Sequence, residues 1–216
     1  MSGSARVSRA EVAGDGSSPL GWHSRGYLPH FDGGAIPQAV TFRLAGSIPA
    51  TRIEAWIEEL ARLPSEGAKS KLRARIEWYL DLGRGPTFLR DPRIAGLVQD
   101  ALLFFDGERY RMHAWVVMPN HVHALFTPLE GFGVPRILQS WKSFSAKQAN
   151  RVLGRSGRFW QDEYYDRFVR NPQHFTRSVN YIEYNPVQAG LCRRQGEWTF
   201  SSARLREAAG GDEGVI

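Results

Sequence analysis

Two apolar runs only two residues apart constrain this chain more than any other feature. Residues 110–118 (YRMHAWVVM) and 121–127 (HVHALFT) are rich in β-branched and aromatic side chains, with Pro119-Asn120 between them. That break predicts a tight hairpin, and Asn120 suits the turn because asparagine tolerates positive φ. A lone hairpin is marginal in water, so the remaining chain must cover it. Residues 38–44 (QAVTFRL) alternate Val40, Phe42 and Leu44 with Thr41 and Arg43, which predicts a further strand. Residues 51–82 carry apolar side chains at helical spacing, and LPSEGAK divides them into two helices. Six basic and six acidic residues balance there, the mark of a packing layer rather than a polyanion surface. A third helix is expected from Asp91-Pro92 to about Phe105, a fourth over 135–152, and an extended run over 159–169 (FWQDEYYDRFV). Asn171-Pro172 opens a last helix, which Pro186 is expected to end near Asn185. This order predicts an α+β fold: an antiparallel or mixed sheet with helices largely on one face.

The 216 residues suit one domain, expected over 21–206. Residues 1–20 and 207–216 are dominated by small and polar residues and are expected to be a disordered tail and a flexible tail. Cys192 is the only cysteine, which excludes an intrachain disulfide and a cysteine-built zinc site. No apolar run approaches the ~20 residues of a membrane helix, and the first residues lack the apolar core of a secretory signal. A cytoplasmic, non-membrane protein is the expectation.

The sharpest local feature is His121-Val122-His123. On a strand, residues i and i+2 share a face, so both imidazoles project one way while Val122 faces the core. Two such rings can hold one divalent cation; equally, one can be a hydrogen-bonded core histidine and the other a surface residue. A two-histidine site needs a further ligand and, without cysteine, suits an open catalytic site better than a closed structural one. On the last helix Tyr181 and Asn185 are four apart and share a face, with His174 on roughly the same stripe. A half-buried tyrosine with a bonded hydroxyl is the plainer reading of Tyr181 alone.

Charge is the third clue. The chain's formal net charge is +6, and residues 136–177 hold nine Lys/Arg against three acids, an equal excess. Among them are Lys142, Lys147, Arg151, Arg158, Arg167 and Arg170, interleaved with Trp141, Phe144, Phe159, Trp160, Tyr164 and Tyr165. Positive charge along a backbone, with rings on which unpaired bases stack, suits single-stranded nucleic acid. The alternative is a solvated helix face over an aromatic core.

MPNHVHALF, FWQDEYYDRFVRNPQHF and SVNYIEYNPVQAGL together resemble the REP-associated tyrosine transposases, relatives of the single-tyrosine HUH transposases; the likeness covers roughly residues 24–205. The resemblance implies a ferredoxin-like antiparallel sheet of the HUH endonuclease type. It implies Tyr181 as nucleophile, His121 and His123 as ligands of Mg²⁺ or Mn²⁺, and Asn185 completing the metal site. It implies single-stranded DNA hairpins, the repetitive extragenic palindromes, as partners, hence a nucleoid-associated protein acting as monomer or homodimer. A neutral set of two imidazoles and an amide should bind Mn²⁺ better than Mg²⁺. Two other readings stay open: a non-catalytic hairpin-binding regulator on the same scaffold, and a metal-dependent RNA-processing enzyme.

Overall fold

The computed structural model of the protein describes residues 21–24, 29–32 and 34–210; the expected tail over 1–20 lies outside them. Strands β1 (Gly21–Ser24) and β2 (Pro29–Asp32) pair antiparallel as a small separate sheet. Strand β3 (Gln38–Leu44) follows, then helices α1 (Ala50–Leu60), α2 (Ser65–Asp81) and α3 (Pro92–Leu103). Strands β4 (Tyr110–Val117) and β5 (His121–Pro128) form the hairpin. Helix α4 (Val134–Val152), strand β6 (Trp160–Phe168) and helices α5 (Pro172–Gln188) and α6 (Ser202–Gly210) complete the chain. The four-stranded sheet has the order β4-β5-β3-β6 with every neighbouring pair antiparallel, the order of a ferredoxin-like sheet. The fold class read from the sequence holds.

The hairpin turns as expected, but not by the expected means. Met118 N–H donates to the His121 carbonyl, and among the described residues only glycines adopt positive φ. Asn120 serves instead through its side chain, fully buried with its amide Nδ2 donating to the carbonyls of Leu80 and Arg84. Those carbonyls sit at and just past the end of α2, where backbone acceptors lack helical partners. One side chain therefore ties that helix to the start of β5.

Helices cover both faces of the sheet, which corrects the one-face expectation. On one face Val40, Phe42, Val122, Ala124 and Phe126 pack with α3 (Ile94, Val98, Leu102) and α4 (Ile137, Leu138, Trp141). On the other, Ala114, Val116 and Leu125 pack with Ile182 of α5, while α1 and α2 bury their own cluster around Ile76 and Leu80 against Tyr165. The reason lies in β5, buried along nearly its whole length: a strand apolar on both faces needs two covering layers.

Helix α5 also runs past Pro186 to Gln188, contrary to the expected stop. A proline removes one donor. Here the ladder resumes beyond it, with Ala189 N–H donating to the Asn185 carbonyl and Leu191 N–H to that of Pro186. Asn185 and Pro186 are both buried, so packing outweighs the local preference.

The C-terminal segment closes the free edge of β4. Val117 N–H donates to the Phe200 carbonyl at 2.9 Å, and Trp198 Nε1–H to the Val117 carbonyl at 3.0 Å. Helix α6 docks on α5 through the Ser202 hydroxyl, which donates to Glu183 at 2.5 Å. Four residues of the stretch expected as a flexible tail, 207–210, are thus helical, and 211–216 lie outside the described residues.

Candidate active site

Strand alternation puts His121 and His123 on the face opposite the α3/α4 core, opposite Arg43 and Thr41 of β3 respectively. Both rings are buried, with their Nε2 atoms 3.0 Å apart. Each Nδ1 has its own partner: Asn120 Oδ1 at 2.7 Å for His121, Thr41 Oγ1 at 2.8 Å for His123. Because the Asn120 amide nitrogen is occupied by two carbonyls, its oxygen accepts from His121 Nδ1–H. That leaves a lone pair on His121 Nε2, the tautomer of a ligating imidazole held by a carbonyl partner. Burial, and then the neighbouring His123, hold His121 well below the usual histidine range; burial, and then Arg73, lower His123 to about 3. Both rings are therefore neutral, the form in which imidazole binds a metal.

Helix α5 brings Tyr181 to the same place. Its ring centroid lies 5.6 Å from that of His123, nearly perpendicular, so the phenol and the imidazoles of one chain meet. Asn185, one turn further on, is fully buried, and neither amide atom has a hydrogen-bond partner among the described residues. An unbonded buried amide is costly unless something else engages it.

Helix α2 adds groups that sequence reasoning missed, having assigned this segment to packing alone. Arg73, Glu77 and Asp81 recur every four residues on one helical face, and that spacing was the available signal. Asp81 Oδ1 is buried without a hydrogen bond among the described residues, 3.8 Å from His121 Nε2. Burial, with Glu77 adding repulsion, lifts the Asp81 carboxyl to about 7. Burial first, then Glu77 and Asp81, push the Tyr181 phenol far above its ordinary value. Among the described residues no three His, Cys, Asp or Glu side chains form a ready-made cation cage. Two neutral imidazoles and an oxygen-bearing amide without a partner fit a divalent cation.

The candidate nucleic-acid residues do not form one surface. Lys147 and Arg151 are exposed on α4, across the sheet from Tyr181, and Arg158 pairs with Asp162 at 3.1 Å. Lys142 donates to the carbonyls of Gln161 and Asp162, tying α4 to β6 rather than facing outward. Only Arg167 and Arg170 lie on the Tyr181 side; Arg167 lines a cleft of about 350 Å³ beside Tyr181 and His123, and Arg170 stacks over Phe168. Of the six interleaved aromatics only Phe144 is exposed; the others are core, which overturns the stacking platform.

Residues 104–185, from the end of α3 through Asn185, match the model of the family described as IS200-like transposases. A REP-associated tyrosine transposase from Escherichia coli (strain K12) is 30% identical over 101 residues, 47% of this chain. Over that stretch the chain is similar to a REP-associated tyrosine transposase. That match spans 59% of the Escherichia coli protein's length. A solved structure of the REP-associated tyrosine transposase bound to a REP hairpin superposes with a TM-score of 0.54, covering 87% of this chain and 86% of that one at 20% identity. The likeness establishes the shared fold. Helices α1 and α2, with Arg73, Glu77 and Asp81, fall outside the matched 104–185 segment.

Proposed function

We propose that this chain is a metal-dependent enzyme that binds single-stranded, hairpin-forming DNA and cuts and rejoins it through a 5′-phosphotyrosine at Tyr181. The observation that carries the reading is the meeting of Tyr181 with His123, 5.6 Å between ring centroids, from a strand and a helix far apart in sequence. His121, His123 and Asn185 would hold the cation. The relative solved with a REP hairpin supports a repetitive extragenic palindrome as substrate. Such a protein would act at the nucleoid, in the cytoplasm.

Tyr181 attacks the scissile phosphorus: the phenolic O–P bond forms and the bond from phosphorus to the 3′-oxygen breaks. The phenolic proton leaves toward the α2 carboxylates, and the 3′-oxygen takes up a proton to become a free hydroxyl. The linkage keeps the phosphodiester energy, so rejoining needs no nucleotide. Burial beside two acidic groups keeps the phenol protonated at rest. A Mg²⁺ or Mn²⁺ held by His121, His123 and Asn185 would supply positive charge that favours phenolate and stabilises the leaving oxygen. Asn120 and Thr41 hold the two rings through their Nδ1 atoms, with the Nε2 atoms facing each other.

Incubation with labelled hairpin DNA in Mn²⁺ should give a protein–DNA adduct that survives denaturing electrophoresis. Chelator and Tyr181→Phe should each abolish it, while a native gel still shows the Phe variant shifting the hairpin. A shift with no adduct from the unaltered chain would reduce the protein to a hairpin binder. Cleavage of RNA without adduct would point to RNA processing.

A further inference from the structure

The cleft beside Tyr181 holds a cluster of donors that neither the cation site nor the nucleophile uses. Arg73 comes from α2, Arg167 from β6 and Arg177 from α5, so three separate elements each contribute an arginine to the lining of one cleft. Arg73 is half-buried and paired with Glu77 at 2.7 Å. Arg167 and Arg177 are exposed, with no ion pair among the described residues. His174 adds a fourth donor. Its Nδ1 accepts from Arg170 N–H at 3.2 Å, so in the neutral ring the proton sits on Nε2. Burial first, then repulsion from Arg73, Arg170 and Arg177, partly offset by Glu77, depresses Arg167. His174 and Arg177 also lie in the first two turns of α5, where the helix dipole is positive.

We infer that this cleft binds a backbone phosphodiester of single-stranded DNA next to the scissile one, with Arg73, Arg167 and Arg177 as its ligands. Guanidinium forks match phosphate oxygens two at a time, and three of them around a small space suit an anion better than a base. Tyr181 and His123 line the same cleft, whereas His121 and Asn185 do not. A strand seated on the arginines is therefore led across the phenol toward the imidazole pair. Arg73 lies on α2, outside the segment matched to the transposase family. The inference rests on the strand-cleaving reading only for which phosphate is held; the binding itself does not require cleavage.

The test uses the full chain carrying Tyr181→Phe, so that binding alone is read. It measures fluorescence anisotropy with a labelled oligothymidine that forms no hairpin, over a range of salt. Arg73→Ala combined with Arg177→Ala should weaken binding about tenfold or more, and should flatten the salt dependence by about 1.4 in slope for two lost charges. Arg167→Ala alone, at an exposed position without an ion pair, should weaken it in the same direction. Lys147→Ala with Arg151→Ala, which removes the same charge from the far face, should leave binding within about twofold. Equal losses from both pairs would overturn the inference, and so would displacement of the strand by an equal concentration of inorganic phosphate. Arginine-dependent binding alongside a failed adduct assay would uphold the cleft and reject the cleavage reading, so the two fail separately.

Discussion

The two faces of this sheet are built on opposite terms. The face under α3 and α4 is dry and aromatic: Trp141 touches Phe42, Tyr110 and Phe126, and its polar atom is satisfied, Nε1–H donating to the Tyr110 hydroxyl at 2.9 Å. That hydroxyl donates in turn to the Leu102 carbonyl at 2.8 Å. The face under α2 and α5 buries His121, His123 and Asn185 together and, among the described residues, leaves Asp81 Oδ1 and both Asn185 amide atoms unbonded; the α3/α4 face carries the buried Gln38 amide in the same state, but no buried histidine. Unsatisfied buried polar groups cost stability, and where they cluster beside neutral imidazoles and a phenol they mark a place where something else can bind. One face holds the protein together and the other is held ready.

Three substitutions test this contrast, in order of decreasing effect. Trp141→Ala should destabilise by about 3–5 kcal/mol in chemical denaturation, the range for removing a large core aromatic. A loss under about 1 kcal/mol would mean that this layer is not the stabilising one. Asn185→Leu should act with the opposite sign, raising stability by about 1 kcal/mol because an unbonded amide leaves the interior. The same variant should bind Mn²⁺ more weakly by calorimetry; lower stability with unchanged Mn²⁺ binding would show that Asn185 is an ordinary packing residue.

The smallest effect concerns Lys142, lowered to about 8 chiefly by burial. Between pH 8 and its unfolded value near 10.5 the unfolded chain holds more protons than the folded one, so this group makes stability rise with pH across that window. Lys142→Met should flatten the difference in melting temperature between pH 8 and pH 10. An unchanged pH profile would place Lys142 in solvent.

Much of the molecule was legible in its sequence because local pattern and tertiary demand agreed. The strand alternation in residues 38–44, the Pro119-Asn120 break and the Asn171-Pro172 cap each specify one local structure, and each is realised. His121, His123 and Tyr181 were legible for the same reason: period two on a strand and period 3.6 on a helix fix the face. Features decided by distant partners were not legible. Nothing local says that Asn120 reaches the end of α2, or that burial of Asn185 and Pro186 carries a helix through a proline. The charge run over 136–177 misled because adjacency in sequence is not adjacency in space: α4 takes its arginines to one face and α5 takes Arg177 to the other. The role of α2 was hidden behind balanced charges, since a count of +6 and −6 does not tell which side chains face the sheet.

The central claim is that the phenol of Tyr181, and no other hydroxyl, meets the scissile phosphate beside His121 and His123. Proteolysis of the covalent complex with hairpin DNA, followed by mass spectrometry of the nucleotide-bearing peptide, reads this directly. The DNA phosphate is expected on Tyr181, formed only when Mn²⁺ or Mg²⁺ is added. Attachment at Tyr184, Tyr164 or Tyr165, or at Tyr181 with equal yield in chelator, would contradict it.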